Sequence, residues 1–318
     1  MNFLSRSICV LSFAMTGAIS LANAQSQGAG QPEIIPHRTN PHQADAPTAG
    51  STAGITPAIN YNGGPVLRAP TVYLIWYGSW QQTNGTDTAN GQNIIRDFLY
   101  GLSGSPYYMI NASYTDPHAS VAPSGSFQVY ASEYTDTGPQ GSRLSDAKVK
   151  AIVSDAISSK HSPADTNGFY FVLTSSDINE SSGFCTKYCG WHTSGTITGS
   201  NIKYAFVGNG ARCLNACAAQ KNGPNGNAGV DAMVSVIAHE LEETNTDPVP
   251  NTGWADSNGS ENADKCGWTF GQNLHPGSNG SYYNMTLPAL TVPSRPYLIQ
   301  RNLSASDNKC YLSAGGSQ

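Results

Sequence analysis

The chain has 318 residues, a formal net charge of −5 at pH 7 and only 12% charged residues. It contains no run of basic residues, which argues against nucleic acid as a partner. Few charges, combined with many glycine, asparagine, serine, threonine and tyrosine residues, are typical of an extracellular protein that neutral polar groups keep in solution.

The first residues predict an export signal. Arg6 precedes an apolar run over residues 8–21, and Ala22-Asn23-Ala24 matches the small-x-small pattern at which signal peptidase cleaves. The run is shorter than the roughly 20 residues that a membrane-spanning helix needs, and no later segment comes closer. We interpret residues 1–24 as a signal peptide, with a membrane anchor as the alternative. The protein is then secreted and extracellular, or periplasmic if the source is bacterial, and has no membrane span.

Residues 25–59 contain few large apolar side chains, so they cannot bury enough surface to fold alone. We expect a disordered polar tail or a propeptide there, followed by one domain over residues 60–318.

Within this domain, hydrophobic periodicity predicts alternating strands and helices. The expected strands are apolar, β-prone runs at residues 71–77, 127–130, 168–174, 188–197, 202–207 and 297–300. The expected helices carry apolar residues at helical spacing over residues 94–102, 144–159 and 230–241. This order indicates an α+β fold with a mixed β-sheet, packed helices and an irregular C-terminal part.

Six cysteines follow the signal peptide, and an exported chain with six cysteines favours three disulfides over a zinc cluster. The simplest pairing closes two short loops and joins the remaining two residues, although every other connectivity stays open. The candidates are Cys185 with Cys189, Cys213 with Cys217, and Cys266 with Cys310.

The third helix ends in the motif His239-Glu240-Leu241-Glu242-Glu243. On a helical wheel Glu243 lies about 40° from His239, whereas Leu241 lies about 200° away on the apolar stripe. Residues at i and i+4 can hold one ion, which is why zinc proteases use His-Glu-x-x-His. We predict Zn²⁺ ligands at His239 and Glu243, and Glu240 as a base that takes a proton from water. The alternative is a solvated acidic helix end.

Downstream, Glu261 and Asp264 are three residues apart, so one helical turn would direct both side chains the same way. We predict Glu261 as the third zinc ligand and Asp264 as the carboxylate that holds His239. His192 and His275 are reserve ligands, and a surface loop fixed by Cys266 is the alternative.

Several segments resemble the Exordium / phosphate-induced protein family of secreted plant proteins. The most specific are Gly229–Leu241 and Glu261–Cys266, supported by residues 71–78, 184–192 and 204–209. The resemblance extends from Tyr61 nearly to the C-terminus, and the six cysteines fall at family positions. It implies an extracellular or cell-wall location and a role in growth or metabolism, without an established reaction.

Three functions are compatible with these observations. We favour a zinc-dependent, peptidase-like hydrolase with a single zincin-like domain, acting on an extracellular peptide or cell-wall polymer, in which a strand near residues 202–207 holds the substrate backbone. The alternatives are a non-catalytic cell-wall or growth-signalling protein and a glycosidase with paired carboxylates. The sequence does not determine the substrate or the oligomeric state.

Overall fold

The computed structural model describes residues 32–36, 47, 49–118 and 125–316. The predicted signal peptide lies outside these residues. The α-helices are α1 (Ala89–Leu102), α2 (Asp146–Ser158), α3 (Leu214–Cys217) and α4 (Ala228–Thr246), and the 3₁₀-helices are Tyr108–Ser113, Gly210–Arg212 and Asp264–Cys266. The strands are β1 (Glu33–Pro36), β2 (Asn60–Tyr61), β3 (Thr71–Tyr77), β4 (Gln128–Val129), β5 (Tyr134–Asp136), β6 (Arg143–Leu144), β7 (Gly168–Thr174), β8 (Asn179–Glu180), β9 (Tyr188–Ile197), β10 (Ser200–Gly208), β11 (Trp254–Ala255), β12 (His275–Pro276), β13 (Tyr282–Tyr283), β14 (Met285–Pro288), β15 (Ser294–Tyr297), β16 (Asn302–Ser304) and β17 (Lys309–Tyr311).

A mixed sheet with the order β1-β9-β10-β7-β3-β4 forms the centre, and β5 also pairs with β3. The strands β10, β7, β3, β4 and β5 pair in parallel, whereas β9 is antiparallel to both β10 and β1. The side chains of β7 are all buried, as are six of the seven in β3. Strands buried on both faces are continuously apolar, which explains why these two were predicted well.

β9 and β10 form a hairpin, in which Ser200 pairs with Ile197. Thr198 and Gly199 have φ angles of 48° and 84°, a left-handed conformation that suits a tight hairpin. The strand expected at residues 297–300 is wrong for most of its length, since β15 ends at Tyr297. There the chain bonds to other elements instead, and the Gln300 amide donates to Ser235 Oγ.

The helix α4 packs against β9, β10 and α1. The Asn227 side chain caps its start by accepting from the amide of Val230 at 3.2 Å. Every residue from Gly229 to Thr246 is buried, including the acidic end of the helix. The alternative of a solvated helix end is therefore wrong.

The disulfides differ from the simplest pairing. Cys185 bonds to Cys213 and Cys189 to Cys217, while Cys266 bonds to Cys310 as expected. The short-loop pairing is wrong because the segments 185–189 and 213–217 lie side by side. Their paired Cα atoms are 5.7 Å and 5.4 Å apart, which suits bridges between the segments.

The C-terminal part contains short two-stranded sheets, which pair β11 with β2, β12 with β13, β14 with β15, and β16 with β17. A second apolar cluster, which includes Ile59, Tyr114 and Leu303, surrounds the bridge between Cys266 and Cys310. This bridge therefore fixes the segment that carries Glu261 and Asp264. The fold is mixed α+β with a disulfide-braced C-terminal part, as expected.

Candidate metal centre

The buried end of α4 brings an imidazole and a carboxylate together. His239 Nε2 lies 2.8 Å from Glu243 Oε1, one helical turn away. This contact lacks hydrogen-bond geometry, and both ring nitrogens of His239 are buried without a hydrogen-bond partner. A buried nitrogen without a partner is costly, whereas two ligands of one ion can approach each other in this way.

Asp264 reaches the same point from the loop after β11. Its Oδ1 lies 3.6 Å from His239 Nε2, and its backbone amide donates to Glu243 Oε1 at 3.0 Å. The amide of Glu261 in turn donates to Asp264 Oδ2 at 3.2 Å. Hydrogen bonds from Asp264 and Asn262 thus fix the loop against the end of α4, and the disulfide of Cys266 fixes it to β17.

His192 on β9 forms the opposite wall. It is fully buried, with Nδ1 at 3.1 Å from Glu240 Oε2 and 3.6 Å from Glu243 Oε2. Glu261 lies on this side, with Oε2 at 3.8 Å from His192 Nε2. Glu243 therefore faces both histidines, one with each carboxylate oxygen. The other reserve histidine, His275, lies in the exposed strand β12.

The unforeseen member of the cluster is Glu33 in β1, within the segment expected to be a tail. Glu33 pairs with His192 in the sheet, and its Oε2 lies 3.9 Å from His192 Nδ1. Sequence reasoning missed it because a short strand inside a polar stretch carries no periodicity, and only its contact with β9 identifies it.

Among the described residues, two groups of side chains each offer ligand atoms that all lie within 4.8 Å of one another. Both groups contain Glu33 and Glu243, and neither contains Glu261. The first adds His239 and Asp264, and the second adds His192 and Glu240.

The excess of carboxylates over imidazoles makes the centre electrostatically unfavourable without a cation. Burial raises the pKa of Glu33, Glu261 and Asp264, and the charges of neighbouring carboxylates raise it further. Across the described part of the chain, every ion pair of the clustered carboxylates has a histidine as its partner. Buried charges are stable when they are paired or coordinate a metal, so this donor set fits a divalent cation.

The first two residues of the motif, His239 and Glu240, have shifted pKa values. Burial raises the pKa of Glu240 to about 7, although His192 acts in the opposite direction. Burial lowers the pKa of His239, but the carboxylates of Glu243 and Asp264 together outweigh it, and the pKa rises to about 10. Glu240 is thus a carboxyl group that can exchange a proton near neutral pH.

A cleft of about 350 Å³ opens beside the centre. Its walls include β1, His239, Asp264 and Trp268. The cluster is therefore next to a space from which a substrate can approach.

The three disulfides are consistent with an extracellular protein. None of the helices in the described residues combines the length and the hydrophobicity that a transmembrane segment requires.

Comparisons with known proteins agree with the sequence resemblance. A family model described as the phosphate-induced protein 1 conserved region matches residues 59–312. Exordium-like 5 of Arabidopsis thaliana is 31% identical over 261 residues, which cover 72% of this chain and 68% of that protein. Exordium-like 3 of the same plant is 31% identical over 259 residues, covering 72% and 73%. Phosphate-induced 1 of Nicotiana tabacum is 28% identical over 297 residues, covering 79% and 87%. No solved structure matches. The chain belongs to the Exordium / phosphate-induced protein family.

Proposed function

We propose that this protein is an extracellular, zinc-dependent hydrolase of the peptidase type. The observation that carries the proposal is the buried cluster at the end of α4, whose imidazoles and carboxylates have only one another as ion-pair partners within the described part of the chain. A cation removes the repulsion between these carboxylates, which burial would otherwise make costly.

The distances support His239, Glu243 and Asp264 as protein ligands of Zn²⁺. Sequence reasoning had Glu261 in the third position and Asp264 behind His239. Asp264 Oδ1 is 3.6 Å from His239 Nε2, whereas Glu261 Oε2 contacts His192 at 3.8 Å. We therefore assign Glu261 to the support of His192.

Glu240 has the position and the proton affinity of a general base. Its Oε2 is held by His192 Nδ1 at 3.1 Å, while its Oε1 is buried without a hydrogen-bond partner. Burial raises its pKa to about 7, so it can accept a proton from a water molecule and return it to a leaving amine. A bound Zn²⁺ would supply the Lewis acid that polarises the carbonyl group of the substrate.

The architecture around the centre supports a zincin-like arrangement. An antiparallel strand, β9, lies beside the helix that carries the His-Glu-x-x-Glu motif, and the cleft is lined by β1 and by His239 of that helix. Zincins hold a peptide along a strand in this position, and we assign that role to β9 rather than to residues 202–207 of β10.

Glu240→Gln tests the proposal most sharply, with fluorescently labelled casein as substrate. The variant should keep its metal and lose about 10²–10⁴-fold in rate, because the amide cannot accept the proton. Glu242→Gln is the matched control. Glu242 is an equally buried neighbour on α4, but its Oε2 accepts from Asn302 at 3.0 Å. Equal rates for the two variants would contradict the role of Glu240. Absence of hydrolysis with metal bound, both in the wild-type protein and after β1 is displaced from β9, would favour a non-catalytic cell-wall or signalling function.

A further inference from the structure

We infer that the outer edge of β9 is a peptide-binding site, and that β1 occupies it as an intramolecular ligand that blocks the metal centre. The inference rests on the proposed function for its catalytic consequence, but peptide binding at β9 can be measured without it. The occupant is the segment Glu33–Pro36, and the partner class is an extended peptide with a large apolar residue at the position of Ile35.

The pairing of β1 supports this role. It lies antiparallel to β9, with Glu33 opposite His192, Ile34 opposite Trp191 and Ile35 opposite Gly190. Main-chain pairing of this kind accepts many sequences, and pockets for alternate side chains provide specificity. β1 is the outermost strand of the sheet, so its removal would expose the edge of β9.

The side chains of β1 alternate as such a ligand requires. Glu33 and Ile35 point inward, and Ile35 is fully buried in the main apolar core. Pro36 is exposed, but its carbonyl accepts from Trp268 Nε1 at 2.9 Å. The inward positions thus define an acidic contact and an apolar pocket two residues apart.

The carboxylate of Glu33 occupies the centre itself. It belongs to both groups of potential ligand atoms, and its Oε2 is buried without a hydrogen-bond partner. A carboxylate at this point completes the coordination of a cation and leaves no position for a substrate carbonyl, because catalytic zinc needs an open one. The chain with β1 in place is therefore the inhibited form.

β1 also lies outside the segment that defines the family, since the family model matches residues 59–312. The ligand and its binding site therefore belong to separate parts of the chain. A cut between β1 and residue 59 would turn the intramolecular ligand into a dissociable peptide, and binding would lose the high effective concentration of the linked segment.

The test uses the full chain with Ile35→Asp, which places a charge in the buried pocket of β1 and releases the strand. The probe is a fluorescein-labelled peptide with the sequence of residues 31–37, measured by fluorescence anisotropy. A linked segment competes at an effective concentration of roughly mM, so the probe should bind the variant at least about 10-fold more tightly than the wild type. Val292→Asp, an apolar-to-acid change at an exposed site remote from β1 in the sequence, is the control and should bind like the wild type.

Probe variants then test the two inward positions. An Ile35→Asp probe should lose binding, and a Glu33→Gln probe should bind about 10-fold more weakly, since an amide is a poorer metal ligand than a carboxylate. Casein hydrolysis by the Ile35→Asp protein should rise about 10-fold as the open coordination position appears.

A second variant guards against misfolding of the substituted protein. A protease recognition sequence replaces residues 41–46, so that β1 stays intact until the folded protein is cut. The probe should exchange into the site only after cutting. Unchanged probe affinity after cutting, or in Ile35→Asp, would overturn the inference. Tighter probe binding without hydrolysis would support the inference and contradict the peptidase proposal. Hydrolysis by the wild-type protein at a rate that neither change affects would support the peptidase proposal and contradict the inference.

Discussion

Removal of the disulfide between Cys189 and Cys217 should cost less stability than its loop length implies. Cys185 and Cys213, like Cys189 and Cys217, are 28 residues apart, for which the chain-entropy model gives about 3.6 kcal/mol for one bridge alone. The two bridges lie side by side, so the second closes a ring of only about eight residues and adds about 2.5 kcal/mol.

Urea unfolding of the double variant Cys189→Ala/Cys217→Ala, followed by tryptophan fluorescence, measures this difference. The control is Cys266→Ala/Cys310→Ala, whose separation of 44 residues gives about 4 kcal/mol in the same model. Equal losses of unfolding free energy in the two double variants would refute the idea that the neighbouring bridge shortens the loop.

Peptide mapping checks the connectivity directly, because trypsin cleaves after Lys187, between Cys185 and Cys189. Under non-reducing conditions, both resulting fragments should remain attached to the peptide that contains residues 213–217. If those fragments are joined only to each other, the connectivity is the short-loop one.

Three further predictions concern other parts of the molecule. Burial raises the pKa of Asp231 from 3.8 to about 6, so the folded state binds its proton more tightly and wild-type stability falls as pH rises through this window. Relative to wild type, Asp231→Asn should therefore gain up to about 3 kcal/mol between pH 4 and pH 7 in urea unfolding, and a constant difference would contradict this. Arg295→Gln should cost about 2 kcal/mol in thermal unfolding, because it removes the ion-pair partner that lies 2.6 Å from the buried Asp97 carboxylate and leaves that group only the hydrogen bonds from Leu290 and Thr291. A loss below about 0.5 kcal/mol would count against this prediction. Gly190→Ala should lower both the melting temperature and zinc affinity, since its Cβ would lie 2.5 Å from Val236 Cγ1 and force α4 away from β9; unchanged zinc binding in equilibrium dialysis would refute this.

Periodicity predicted the central elements because their burial is regular along the chain. β3 and β7 are buried on both faces and read as continuous apolar runs, and the stripe of α4 has helical spacing. The helical spacing also predicted that the side chains of His239 and Glu243 lie on one face, because the relation between residues i and i+4 depends only on local geometry.

The remaining members of the cluster depend on contacts that are distant in sequence. His192 lies in a strand whose neighbouring residues are buried on both sides, so its pattern does not tell which helix it faces. Glu33 reaches the centre only because β1 pairs with β9. Helical spacing predicted that the side chains of Glu261 and Asp264 point the same way. The 3₁₀-helix begins at Asp264, however, and leaves Glu261 outside it.

The crossed disulfides have the same origin. Spacing along the chain favours short loops, whereas the pairing depends on which segments the fold brings side by side. The start of β9 lies beside α3, a four-residue helix too short for sequence periodicity to reveal.

The central claim is that the end of α4 holds a divalent cation, and metal analysis of the purified full-length chain tests it most directly. Inductively coupled plasma mass spectrometry should find about one equivalent of zinc in the wild type and in Glu242→Gln, and far less in His239→Ala. Bound zinc at 100 times its dissociation constant adds about 2.7 kcal/mol, so a chelator should lower the wild-type melting temperature by about 5 °C. A wild-type protein that contains no metal, and that melts at the same temperature as His239→Ala, would contradict the account.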